Sequence, residues 1–345
     1  MLFRVDRDRF DLTYGARAGL FAVVPLFLGI ALGETLAGVL VTLGALNLLF
    51  VQAPRPGRTS YEILALAVGT NAAAWAAGTV VGTTSGVLEG ALLTVGVFAI
   101  MLSKRYTLFN QLALVTAIMF VIAVGLPGGW AAVGPHALLI ALGGAWGLLG
   151  AVLPTVAHWI ERPLPASAHL SAAERMSVRT TVSFSFAVAV SVALGHATAQ
   201  AIGLPRDYWV MLTILAAFRP EFAATFEFAT MRGIGTFVGA AIAFVLTLAV
   251  TNVWILATVT VVAASITFAV RAVNFALYAI FLTIFLICLL ALAYHGGPTL
   301  AVARVVDTVI GALFAIAAGL SLSLWRAHWA AQERPPSGSV PPHVV

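Results

Sequence analysis

Charge and cysteine are scarce in this chain. Only 9% of its 345 residues are charged, where soluble domains carry roughly a quarter, and the one cysteine, Cys288, lies in an apolar stretch. A single thiol excludes an intrachain disulfide framework and a cysteine-built metal site. So low a charge leaves no room for a water-covered globular domain. Catalytic constellations are missing as well: no Ser-His-Asp order, no paired-carboxylate motif and no phosphate loop stands out. The segment Gly233-Ile234-Gly235-Thr236-Phe237-Val238-Gly239 lacks the dinucleotide spacing and follows no strand, so its expected use is helix packing. His136, His196 and His295 fall near one side of the chain in unrelated loops, without recurring ligand spacing. No enzyme, cofactor or metal is expected.

Apolar sequence is abundant. Hydrophobic residues make up 61% of the chain and the mean hydropathy is +1.03. Apolar runs lie near 15–33, 35–52, 62–82, 85–102, 108–126, 133–156, 178–201, 207–224, 229–250, 253–270, 274–294 and 299–325. Twelve helices of about 20 residues each would use most of the chain, so the fold class is all-α, a polytopic membrane bundle. The first run follows a mixed-charge segment, Arg4 to Asp11, with no cleavage signature, and is expected to stay as a span.

The net charge of +5 and a pI near 9.9 invite a nucleic-acid reading. The basic residues are instead strung along alternate loops, which reports topology. Sixteen of the eighteen Lys and Arg residues, Arg55, Lys104, Arg219 and Arg232 among them, fall on one side of the twelve-span arrangement, leaving Arg206 and Arg304. The positive-inside rule then puts both termini in the cytoplasm. Glu34 and Glu89 lie near outer helix ends and are expected to be solvated.

An internal repeat of about 162 to 167 residues divides the spans six and six. Arg17 with Ala31-Leu32-Gly33 matches Arg179 with Ala193-Leu194-Gly195; Arg105, Phe109 and Ala113 match Arg271, Phe275 and Ala279; Gly144 matches Gly311. An even number of spans per half makes the repeats parallel. The expected organisation is a first membrane half at 1–157, a cytoplasmic linker at 158–175, a second half at 176–327 and a disordered tail at 328–345. Glycines at four-residue spacing, Gly78, Gly82, Gly86 and Gly90, then Gly143 and Gly147, are expected at close helix contacts.

Three features carry candidate chemistry. Only eleven uncharged residues separate Asp207 from Arg219, roughly 17 Å of helix where about 30 Å must be crossed. The eighth helix is therefore expected to continue through a break at Pro220, carrying Arg219, Glu221 and Glu227 inward, with Asn47, Gln52, Pro54 and Pro56 as the first-half counterpart. A bland alternative makes Arg219, Glu221 and Arg232 an interfacial loop. In the twelfth span, Arg304 and Asp307 are three residues apart, share a face and can pair. Each ionised group would cost about 2.5–3.5 kcal/mol at the centre of a lone helix, so both should face the bundle interior, as helix glue or as a substrate or proton site. Tyr208-Trp209 open the eighth span, either as interfacial belt residues or as a surface for stacking an aromatic ligand.

The second half, roughly Glu174 to Arg326, resembles the fusaric acid resistance protein-like family, which includes the aromatic acid exporters. The resemblance rests on Arg179, Tyr208-Trp209 followed by Leu212-Thr213, then Arg232-Gly233-Ile234-Gly235-Thr236 with Gly239, and Arg304 with Asp307-Thr308 and Gly311. In the first half only Arg17, Gly69-Thr70 and Gly144 remain, and a short linker stands where many such proteins have a sizeable cytoplasmic domain. The resemblance implies a bacterial inner-membrane exporter of aromatic carboxylic acids or similar small compounds, driven by the proton gradient. On that reading Arg219 and Arg232, with Glu221 beside them, receive a carboxylate from the cytoplasm. Arg304 is a second cationic station, Tyr208 and Trp209 stack on the substrate, and Asp307 couples the proton. Assembly as a homo-oligomer or with a periplasmic adaptor stays open, and a non-transporting assembly subunit is the alternative.

Overall fold

The computed structural model describes residues 6–51, 58–106, 109, 112–126, 128–152, 177–294 and 296–332. Among them are twelve α-helices and no strand: α1 Leu12–Ala31, α2 Thr35–Phe50, α3 Arg58–Val81, α4 Gly86–Leu102, α5 Leu112–Gly125, α6 Gly129–Val152, α7 Val178–Ala201, α8 Tyr208–Ala217, α9 Phe222–Ala249, α10 Val253–Val270, α11 Phe275–Tyr294 and α12 Gly297–Gln332. Nine are long and apolar enough to cross a membrane, while α2, α5 and α8 fall short. The protein is a multi-pass membrane protein. Gln52, Pro54, Arg55, Pro56, His295, the whole of the expected linker and most of the tail lie outside the described residues.

The short helices sit where length matters least. Nine of the ten residues of α8 and ten of the fourteen of α5 are buried, against four of the seventeen of α4. A helix apolar on every side is a core helix, and one enclosed by protein has no lipid thickness to match. The long helices α3, α6, α9 and α12 wrap these short ones. α2 packs on α6 and α8 on α12; α3 packs on α5 and α6, and α9 on α11 and α12. Across the middle of the chain, α1 packs on α10 and α4 on α7, α5 touches α8, and α2 touches α11. Each of these contacts has its counterpart six helices further on.

Glycine sets the closest approaches. A methyl group added at Gly235 would lie 2.6 Å from both the Ala276 carbonyl oxygen and the Ala279 Cβ, and one at Gly311 would lie 2.6 Å from the Thr213 Cβ. Gly78 and Gly82 face the Phe120 and Val124 carbonyls, and Gly143 the Val41 carbonyl, as the four-residue spacing predicts. Gly86 and Gly90 do not follow it: neither has an atom within 4 Å of an added Cβ, because Gly86 ends the α3–α4 turn at φ +62° and Gly90 faces outward. Gly233 likewise meets nothing, so the packing face of α9 is Gly235 and Gly239. Gly235→Leu is expected to lower the stability of the detergent-solubilised protein by about 1–3 kcal/mol through overpacking against α11. A melting temperature equal to that of the native chain would show the contact to be slack.

α12 runs to Gln332, seven residues past the expected end and into the stretch expected as tail; otherwise the expected spans and the helices agree within a few residues except around Pro220. There α8 stops at Ala217 and α9 begins at Phe222, seven residues ahead of expectation, so residues 222–228 extend the ninth helix rather than the eighth. Proline supplies no N–H and biases the preceding residue away from helical geometry, which breaks the chain at Arg219. The exposed carbonyls of the break are taken up locally. Arg219 Nη1 donates to Phe218 O (2.9 Å), Arg326 Nη1 of α12 donates to Pro220 O (2.8 Å), and the Thr225 hydroxyl accepts from Arg219 N (2.9 Å). That hydroxyl donates in turn to the Arg219 or the Glu221 carbonyl, at 3.0 and 3.1 Å. Inside a membrane such accounting is what permits an irregular segment.

Candidate functional site

Contacts between helix termini sort the bundle into a basic end and an acidic end. At the basic end the Asp6 N–H bonds the Val273 carbonyl, and Arg271 Nη1 of the α10–α11 turn donates to Leu49 O of α2. At the acidic end Gly125 closes on Tyr208, and Gly297 on Thr247. Lys104, Arg105, Arg219, Arg271 and Arg326 belong to the first group, and Glu34, Glu89 and Asp207 to the second.

The early start of α9 moves Arg232. Ten residues into that helix it lies roughly 15 Å from its first turn, and it is 5% exposed. The sequence placed Arg232 at an inner helix end; the structure corrects this, because the ninth helix absorbs residues assigned to the eighth. The interfacial-loop alternative therefore describes Arg219 and Glu221 only. Glu221 is exposed, while Arg219 is half-buried with its guanidinium 4.1 Å from the centre of the Phe228 ring.

Arg304 and Asp307, on α12, are 1% and 0% exposed, which meets the expectation that both face the interior. The expected pairing does not form. Among the described residues no hydrogen bond or ion pair joins them. Arg304 Nη1 instead donates to the Trp209 carbonyl at 3.3 Å and its guanidinium lies 5.1 Å from the indole centre. Gly311 lets α12 press against Val210 and Thr213 of α8, which brings Arg304 onto that carbonyl rather than toward its helical neighbour. Both Asp307 oxygens lack a hydrogen-bond partner, as do Arg304 Nε, Thr308 Oγ1, Arg232 Nε and Thr236 Oγ1. Buried polar atoms are almost always paired, so six without partners on α9 and α12 mark residues suited to receive something polar. Tyr208 and Trp209 also differ from the belt expectation. They are buried, in T-shaped contact at 5.9 Å, with the Tyr208 hydroxyl accepting from Arg206 Nη1 at 3.4 Å.

Two residues expected at the solvated rim are in the site's extension. Glu89 and His196 are 7% and 2% exposed, with His196 Nε2 3.1 Å from Glu89 Oε1 and Nδ1 3.1 Å from Asp207 Oδ2. Gln200 Nε2 donates to the other Glu89 oxygen at 3.2 Å. Glu89 and His196 are 107 positions apart, so no local pattern could pair them. The available signal was an acid in the first turn of an apolar helix and a histidine inside an apolar run. Glu34 is exposed, as expected, and the Nδ2 of the buried Asn47 donates to Val115 O at 3.0 Å.

Together these side chains make a file that runs mainly through the second half of the bundle, with Lys104 and Glu89 supplied by the first. Arg219 is within electrostatic reach of Lys104 and of Arg232, Arg232 of Arg304, Arg304 of Asp307, Asp307 of Asp207, and Asp207 of His196, which ends on Glu89. The file is cationic from the basic end to the middle and acidic from there on. No curated protein and no solved structure matches the chain. The range that holds every member of the file except Lys104 and Glu89, residues 186–318, matches the model of the fusaric acid resistance protein-like family, the family that the second half resembles.

Proposed function

We propose that this protein is a proton-driven transporter of the bacterial inner membrane, exporting aromatic carboxylic acids or similar small toxic anions from the cytoplasm. The observation that carries the reading is the cationic-to-acidic file with unpartnered polar atoms at its centre. Intramembrane ionisable groups are costly and gather on ion and proton pathways. Arg219, with Glu221 at the mouth, receives the carboxylate; Arg232 and Arg304 hold it; Trp209, with Tyr208 behind it, offers an aromatic face; Asp307 takes the proton. The matching packing of helices six apart supports two parallel six-helix repeats, and the basic end, by the positive-inside rule, is cytoplasmic and carries both termini.

Purified protein in proteoliposomes tests this. Vesicles loaded with an aromatic dicarboxylate, which crosses bare lipid slowly, should release it saturably when the exterior is acidified, and straight-chain dicarboxylates should compete poorly. Arg219→Gln should raise KM with little change in kcat, the signature of lost uniform binding. Release no faster than from protein-free vesicles, for every aromatic acid tried, would leave the chain as a non-transporting assembly subunit.

A further inference from the structure

His196 stands between two carboxylates, and a neutral ring can turn an N–H toward only one of them. A carboxylate stands 3.1 Å from each of its nitrogens, Glu89 at Nε2 and Asp207 at Nδ1. Neutral imidazole carries one N–H, so one of the two carboxylates would face a ring lone pair; the imidazolium turns an N–H toward each. The Asp207 side is the looser grip, since Nδ1 meets the distance but not the angle of a hydrogen bond. The ring lies between the acids, and among the described residues no group of three such side chains converges on a point that could hold a metal.

The three groups come from three elements. Glu89 is in the first turn of α4, His196 is near the end of α7, and Asp207 immediately precedes α8. The charges acting on the ring are Glu89 and Asp207. The elements packed on α7 also bring Arg206 and Tyr208 at the start of α8, Arg304 and Asp307 on α12, and, at the far end, Lys104 and Arg105. Arg206 is engaged elsewhere, on the Tyr208 hydroxyl and 4.6 Å from the centre of the Tyr294 ring. Nothing cationic therefore replaces the ring proton when it leaves, and two carboxylates remain on either side of a neutral imidazole.

We propose that Glu89, His196 and Asp207 form a proton-binding latch that holds α4 against α7 and α8 at the acidic end and releases when the ring is deprotonated. As the station where an external proton first binds, ahead of Asp307, it rests on the transport reading above. As a pH-dependent latch it stands on geometry alone.

Spin labels on cysteines at Val87 and Ile202, both exposed at the acidic end, read the latch without transport once Cys288 is replaced by Ala. In lipid nanodiscs the label distance should be short and narrowly distributed at about pH 5, and longer or broader at about pH 9. His196→Gln should give one distribution at both. Glu89→Gln, which leaves the ring a single carboxylate, should hold the short distance over a narrower range of pH, and gives a second reading if the histidine variant does not fold. Asp307→Asn should keep the native pH response. A native distribution that ignores pH, an unaltered response in His196→Gln or Glu89→Gln, or a response lost in Asp307→Asn would overturn the latch. Labels that respond in a protein that moves no aromatic acid would sink the transport reading and leave the latch standing.

Discussion

An acidic exterior should no longer drive release of aromatic acids from proteoliposomes once Asp307 is replaced by Asn, although the protein stays folded and still exchanges labelled for unlabelled substrate. Asn keeps the shape of Asp and removes the proton-accepting group. Arg304 does not depend on Asp307 for its place, since it keeps the Trp209 carbonyl at 3.3 Å and the indole face at 5.1 Å. Without the acid Arg304 still has that carbonyl and ring to hold it, so the variant should stay folded and lose less stability than one that lacks the arginine. Asp307, 0% exposed with neither oxygen bonded, has no hydrogen bond to lose. Its neighbours act on it through space alone, so whether it carries a proton follows from whether Arg304 is engaged by substrate. That dependence is the proposed coupling. Gradient-driven release at the native rate by Asp307→Asn would remove it and leave the acid without a role.

Arg304→Leu should do more damage. Here the group left behind is Asp307, whose nearest compensating charge has gone, and stranding a buried charge costs about 3–5 kcal/mol. The variant should unfold at much lower temperature and yield little inserted protein. Adding Asp307→Leu should recover most of the loss, a coupling measured by the double-mutant cycle, but release of substrate should stay at background in both. Exchanging the charges, Arg304→Asp with Asp307→Arg, should not rescue either property. A carboxylate at position 304 would face the Trp209 carbonyl and the negative face of its ring, where the guanidinium now donates. Full stability in the exchanged variant would mean that the two charges answer only to each other.

Hydropathy was enough to find the helices because the apolar runs are bounded by charge, glycine, proline or, at Thr251-Asn252, polar capping residues, and the spans from 178–201 and 253–270 coincide with α7 and α10. It could not apportion Phe218 to Phe228. Those residues are apolar apart from Arg219, Glu221, Thr225 and Glu227, so the run shows where a break must fall without showing which helix owns the far side. One such assignment carries Arg232 from the rim to the interior. Burial of Arg304 and Asp307 was legible because a charge in a long apolar helix has few places to go. Their separation was not, since i, i+3 spacing permits a pair, but a third party, the Trp209 carbonyl on α8, takes the guanidinium. Glu89 and His196 read as rim residues because nothing local marks a contact between helices so far apart in the chain.

The shortness of α8 bears on how this protein is made. Ten residues span roughly 15 Å, half of a typical hydrocarbon core, so α8 cannot settle across a bilayer by partitioning on its own as it leaves the ribosome. α12, which would clothe it, is synthesised about ninety residues later and carries Arg304 and Asp307, two charges that a lone helix would resist burying. Each helix lacks what the other supplies. α7, α9, α10 and α11 are each long and apolar enough to span alone, but α8 and α12 are expected to settle together, so a ribosome that stops short of α12 should leave α8 as unfinished cargo for the quality-control proteases.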